Sequence, residues 1–224
     1  MNQAYVALAR SERRPIGLPM GDAAVVYIID DDESLRAVID SLLRSVGLLT
    51  RTYASLGAFL AASRPDAAGC LILDVRLPGI SGLDFQVQLA GHGIHLPVIL
   101  MTGYGDIPMS VRAMKAGAVD FLTKPFRDQD LLDAVTTAIG RDRARRAADA
   151  EDTGLRDRFA TLSPREQQVM QRVTAGKMNK QVAGDLGLSE ITVKIHRGAA
   201  MRKMGARTLA DLVRMAEALR LRTH

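Results

Sequence analysis

Residues Cys70 to Gly82 read CLILDVRLPGISG, and the fold turns on how that stretch is read. Cys70, Leu71, Ile72 and Leu73 form a short run without a polar break, the pattern of a strand covered on both faces inside a parallel sheet. The run stops at Asp74, after which Pro78, Gly79, Ser81 and Gly82 spell a loop. Open α/β sheets place their chemistry at the carboxyl ends of their strands, so Asp74 stands where a functional carboxylate is expected. An aspartate that merely caps the next turn is the competing reading, and the surrounding sequence has to decide.

Outward from this run the chain alternates short apolar runs with amphipathic segments. Val25–Ile29 reads as a first strand. Leu35, Val38, Ile39, Leu42, Leu43 and Val46 follow at helical spacing and predict one apolar face. A weaker strand over 48–53 and a short helix over 56–63 precede the Cys70 strand. A helix over 83–90, a fourth strand over 97–101, a helix over 107–115 and a fifth strand over 118–122 come after it, and a last helix begins near Asp128. Repeating βα units predict a doubly wound, five-stranded parallel sheet with helices on both faces.

In such a sheet all strand ends share one edge. Asp30, Asp31 and Asp32 close the first strand, Asp74 the third and Thr102 the fourth, while Lys124-Pro125 follows the fifth. Crowded carboxylates repel unless a cation lies between them. Hard oxygen donors with room for water suit Mg²⁺, which takes only one or two protein carboxylates. With the Lys124 ammonium and the Thr102 hydroxyl, the edge could hold a phosphoryl group for in-line transfer to Asp74.

IIDDDE (28–33), LDVRLPGISG (73–82), MTG (101–103) and AGAVDFLTKPF (116–126) together resemble the receiver domain of two-component response regulators, with its CheY-like, flavodoxin-like fold, over residues 24–140. The resemblance implies that Asp74 accepts a phosphoryl group from a histidine kinase. It implies Mg²⁺ held by Asp31, Asp74 and the main-chain carbonyl of Arg76, with Asp30 reaching the ion through water. Thr102 and Lys124 would sense the phosphoryl group, Lys124-Pro125 would be cis, and Phe121 would be the switch aromatic, here without a hydroxyl. Asp32 and Glu33 also suit the start of the following helix.

Beyond Gly140 the sequence RDRARRAADAEDTG is almost devoid of large apolar residues. It predicts a charged helical linker over 141–158, the charged end of a helix running into a linker through about residue 153, with a short coupling turn at 155–159. From residue 159 the pattern is all helical. Ser163 with Pro164 and Glu166 makes a capping box. A helix over 179–186, a turn at Gly187-Leu188, and a helix capped by Ser189 form a helix-turn-helix, followed by a helix capped by Thr208.

LSPRE (162–166), AGKMNKQVAGDLGLSEITVKIHR (175–197) and MRKMGA (201–206) are similar to the LuxR/FixJ-type DNA-binding domain, and the order of the two domains, with TGYGDIPMSVRAMKAGAVDF (102–121), resembles the FixJ subgroup. Val193, Ala200 and Met204 are spaced to face the core, leaving Lys194, Ile195, Gly198 and Arg202 outward. Lys194 is the expected base reader and Ile195 suits a thymine methyl. Arg197, Lys203, Lys180 and Arg165 are expected on phosphates, and His196 on phosphate or in helix packing. Gly198 stands where many relatives carry a longer side chain.

The charge distribution agrees with this division. Residues 24–126 hold 8 Lys and Arg against 10 Asp and Glu, whereas residues 159–224 hold 12 against 5, so only the second part is suited to a polyanion. A single cysteine excludes an internal disulfide framework, and no apolar run is long enough to span a membrane. Residues 1–23 lack a secretory signal pattern and are expected to form a disordered tail. The expected protein is a cytoplasmic transcription regulator that binds double-stranded promoter DNA as a phosphorylation-dependent homodimer and works with RNA polymerase. Two rivals remain: a haloacid-dehalogenase-like phosphatase, which needs a second Asp where this chain has Arg76, and a regulator that binds DNA constitutively.

Overall fold

Short apolar runs become strands because helices bury them from both sides. The structure is a computed structural model describing residues 24–103 and 107–221; the expected N-terminal tail lies outside the described residues. Strands β1 (Val25–Ile29), β2 (Leu49–Tyr53), β3 (Gly69–Asp74), β4 (Val98–Thr102) and β5 (Asp120–Thr123) pair in parallel in the order β2-β1-β3-β4-β5. The register sets Ile29 beside Leu73, Asp74 beside Met101, and Thr102 beside Thr123. Asp30, Asp74, Thr102 and Lys124 therefore arrive at one edge.

Side chains alternate across the sheet, so successive strand residues feed two apolar layers. Tyr27, Ile29, Leu71 and Leu73 pack with Phe59 of α2 (Leu56–Ala61), Phe85 of α3 (Gly82–Gln88) and Ala113 of α4 (Ile107–Lys115). Val26, Ile28, Cys70 and Ile72 pack with Ile39 and Leu43 of α1 (Glu33–Ser45), and with Leu131 and Val135 of α5 (Asp128–Ala160). A 3₁₀ turn, Leu89–His92, continues α3.

Three expectations are corrected. Val38 is 62 % exposed and Val46 is also exposed, because the buried stripe of α1 narrows to Ile39 and Leu43, with Leu35 and Leu42 half-buried beside them. Strand β5 begins at Asp120 instead of residue 118: Ala118 and Val119 are buried in the approach, where the Val119 N–H donates to the Val98 carbonyl at 2.7 Å. The charged stretch after Gly140 is helical as expected, but with no separate linker or coupling turn: one helix runs unbroken to Ala160. Arg145–Asp149 and Asp152–Arg156 ion pairs at i,i+4 spacing, with the many alanines, hold a helix that buries little there.

The chain divides into two compact units between Ala144 and Arg145. In the second, α6 (Pro164–Thr174), α7 (Asn179–Leu186), α8 (Glu190–Met204) and α9 (Leu209–Ala218) enclose Val169, Met170, Val182, Val193, Ala200, Met204 and Leu212. Leu155 and Phe159, from the end of α5, join that core. Ser163, Ser189 and Thr208 each accept a hydrogen bond from a first-turn N–H, capping α6, α8 and α9 as their sequence positions predict.

Candidate functional site

Asp74, at the end of β3, is buried, and each of its carboxylate oxygens has a donor. Oδ2 accepts from the Arg76 N–H at 2.9 Å and Oδ1 from Lys124 Nζ at 2.7 Å. Asp30, one residue beyond β1, is fully buried: Oδ1 accepts from the Asp32 N–H at 2.9 Å, and Oδ2 from the same Lys124 Nζ at 2.5 Å. One ammonium thus ties the ends of β1 and β3 together from beyond β5. The Lys124 N–H donates to the Thr102 carbonyl at 2.7 Å, which brings the buried Thr102 to the same edge, and Lys124-Pro125 is cis.

Burial pushes the Asp74 carboxyl above its usual range, helped by the Asp30 charge and opposed by Lys124 and the Arg76 N–H. Burial works against the Lys124 charge, but its hydrogen bonds to Asp30 and Asp74 prevail and raise its pKa. Asp31 is exposed and, with Arg76, Pro78 and Ser81, lines an open cleft of about 530 Å³ beside Val75. Phe121 is half-buried against the layer that holds Leu73 and Phe85. Asp32 caps α1 by accepting from the Leu35 N–H at 3.0 Å, the helix-starting role expected of it.

The fit of a metal ion rests on the donor set. Among the described residues no group of three or more histidine, cysteine or carboxylate side chains gathers as a metal cage. Asp30 and Asp74 do converge on one cation, and Mg²⁺ needs no more than one or two protein carboxylates because it keeps most of its water. The two carboxylates offer hard oxygen donors only, the donor chemistry that fits Mg²⁺.

Two residues support the site in roles the sequence does not announce; Gly82 reads there only as part of a loop, and the structure makes it the first residue of α3. Arg36 donates to the Asp30 carbonyl at 2.5 Å, fixing the turn that aims Asp30 inward. Gly82 opens α3 so close to the Asp74 carbonyl oxygen that any Cβ would overlap it. Both act on main chain, which leaves no side-chain pattern to read.

In the second unit, α7 and α8 are joined through Gly187, whose φ of 65° places it in the left-handed region. At about 100° per residue, Ile191, Ile195, Gly198 and Arg202 form one line on α8 opposite the buried Val193, Ala200 and Met204. Ile191 and Ile195 are 74 % and 63 % exposed; Lys194 flanks them, also exposed. Ile191 was not singled out from the sequence, although its spacing four residues before Ile195 is the available signal.

The remaining basic residues differ in what they can offer. Lys180 is exposed, and lines a cleft with Lys177, Asn179 and Arg197. Arg197 is half-buried and donates to Asn179 Oδ1 at 3.3 Å; His196 is half-buried beside it. Arg165 is exposed and reaches Gln168. Lys203, expected on phosphate, is exposed but engaged within the unit: Nζ donates to Glu166 Oε2 at 2.7 Å and to the Thr161 carbonyl at 3.2 Å. Lys203 and the Ser163 N–H hold the Glu166 carboxyl below its usual range.

Comparison with known proteins accounts for both units. The response regulator receiver domain family matches residues 26–136, and the luxR family of bacterial regulatory proteins matches residues 160–216. Nodulation protein W of Bradyrhizobium diazoefficiens is 59 % identical over 196 residues, 88 % of this chain and 86 % of that protein. This chain is a response regulator. The low-resolution structure of the response regulator StyR is 46 % identical, covering 87 % of this chain and 98 % of its own, with a TM-score of 0.78. Full-length FixJ from B. japonicum is 37 % identical over 89 % of this chain and 98 % of its own, with a TM-score of 0.53. A response regulator of this make-up regulates transcription through a LuxR-type DNA-binding domain, and control by phosphorylation is typical of the family. Among the described residues no helix is long and apolar enough to cross a membrane.

Proposed function

We propose that Asp74 of this response regulator accepts a phosphoryl group from the phosphohistidine of a partner kinase. A carboxylate oxygen of Asp74 bonds to phosphorus as the phosphorus–nitrogen bond breaks. The observation that carries this is the Lys124 ammonium held at 2.5 and 2.7 Å from Asp30 and Asp74, a fixed positive charge beside a buried nucleophile. Mg²⁺ held by Asp31, Asp74 and the Arg76 carbonyl, with Asp30 reaching it through water, would supply charge neutralisation for the phosphoryl oxygens. Thr102 and Lys124 then bind the new oxygens, and Phe121 shifts with them.

The output is a cytoplasmic homodimer that binds promoter DNA and engages RNA polymerase. Ile107, Val111 and Met114 leave an exposed apolar stripe on α4, which we assign to the dimer face that phosphorylation favours. Lys194, Ile191 and Ile195 read bases, while Lys180, Arg165, Arg197 and His196 face phosphates. Lys203 serves the domain's own framework.

Incubation of the full chain with acetyl phosphate and Mg²⁺, followed by intact-mass measurement, tests the acceptor. The wild type gains one phosphoryl group and forms dimers; Asp74→Asn does neither. An unmodified wild type, or an Asp74→Asn protein that dimerises and binds DNA equally with the donor, would leave a constitutive regulator in its place.

A further inference from the structure

Gly198 sits in the interior of α8, where glycine costs about 1 kcal/mol relative to alanine. The fold gives no reason for it. Its backbone is not among the positive-φ glycines, and a Cβ built there would meet only Arg202 Nη1, at an ordinary 3.6 Å. Neither backbone geometry nor packing within the unit requires a missing side chain at this position.

Arg202 supplies the reason. It lies on the same outward line as Ile191, Ile195 and Gly198, directly away from Val193, Ala200 and Met204. Side chains on a helix lean toward its N-terminus, and the 3.6 Å approach shows the guanidinium lying back along the bare backbone of Gly198. That moves the charged group about one turn, roughly 5.4 Å, toward the end of a recognition helix that contacts base edges. Among the described residues the Arg202 side chain has no hydrogen bond or ion pair, unlike Arg197 and Lys203, which are engaged with Asn179 and Glu166.

We infer that Arg202, laid over the gap at Gly198, reads a guanine in each half-site, and that Gly198 is the notch that admits it. This rests on the DNA-binding reading of α8. Arginine pairs bidentately with guanine O6 and N7 in the major groove, and the planar fork needs open space in front of the helix to do so. A long side chain at position 198 would fill that space, whereas a methyl would not.

The test is selection of duplexes from a random library by the full-length protein, followed by base-by-base substitution of the preferred site. The wild type is expected to favour guanine at one position of each half-site by about 5- to 150-fold, the range for one bidentate pair. Arg202→Ala loses that preference and keeps the others. Gly198→Leu, a better helix former that retains Arg202, loses it as well, while Gly198→Ala keeps it; thermal melts confirm that each variant is folded. Arg202→Ala weakening all sequences alike, with the salt slope falling by about 1, would make Arg202 a phosphate contact and overturn the inference. Retained guanine preference in Gly198→Leu overturns the notch. A wild type that selects no sequence overturns the reading role of α8 itself, a failure distinct from an Arg202→Ala protein that still demands its guanine.

Discussion

At the scale of single residues, the acidic edge is a conflict held in place by the rest of the fold. Asp74 holds its charge against its surroundings: burial and the neighbouring Asp30 charge raise its pKa by more than Lys124 and the Arg76 N–H lower it. A carboxyl whose folded pKa exceeds the unfolded value, ordinarily near 3.8, binds more protons in the folded state. Its penalty is absent at lower pH, grows as pH rises through that window, and is complete above it. Lys124 behaves oppositely in sign: its raised pKa stabilises the fold at every pH below its unfolded value and is lost only as pH climbs past the folded one. Asp74→Asn removes the ionisation and leaves Asp30 as partner for Lys124. We expect the variant to resist urea better than the wild type at pH 7, and the difference to shrink as pH falls toward 4. A difference that does not change with pH would mean the Asp74 charge is not under strain. Asp74, Asp30 and Lys124 were legible because each stands at the end of an apolar run, while the supporting roles of Arg36 and Gly82 were not, since what they serve is a carbonyl oxygen.

At the scale of elements, α5 is where sequence and structure part most. Its first turns present Leu131, Ala134, Val135, Ala138 and Ile139 at helical spacing and are readable as one face of the sheet. Beyond Gly140 the burial signal fades, yet Asp142 is fully buried, accepting from the Gly69 N–H at 3.0 Å. A lone aspartate in a charged run gives no hint that it satisfies a strand-end donor 73 residues earlier. Leu155 and Phe159, taken in the sequence for a coupling turn, are the helix's contribution to the second core. The luxR-family match begins only at residue 160, so this helical end lies outside it. Leu155→Ala should therefore destabilise the second unit by about 2–4 kcal/mol, the cost of emptying a buried leucine site. Unfolding of the full chain in urea, followed by amide exchange, would show α6 to α9 losing protection at lower denaturant while the sheet is unchanged. Equal protection in the variant would return residues 155–159 to the linker.

At the scale of the whole molecule, the uneven charge assigns DNA contact to the second unit alone. Part of that charge is committed within the unit, Arg172 and Lys177 to Asp185, Lys203 to Glu166 and Arg214 to Asp211, so one copy brings less to phosphates than its net charge suggests. One copy is thus expected to bind weakly, and two copies on one duplex to bind through their combined contacts. Two-fold dimers of helix-turn-helix domains meet half-sites about 10–10.5 bp apart or multiples of it, since only then do both sites face the same side of the duplex. For the phosphorylated full chain, inserting about 5 bp between half-sites turns the second to the far side and should reduce affinity to that of a single half-site. Inserting a full turn should restore part of it, less the cost of reaching farther. The steepness of salt dependence offers a second reading of the same equilibrium: the slope of log affinity against log salt should nearly double from one half-site to the paired site, because each copy releases its own counterions. Fluorescence anisotropy across the insertion series measures both quantities. Undiminished affinity after the half-turn insertion, with an unchanged slope, would mean the copies bind independently and the apolar stripe of α4 has another use.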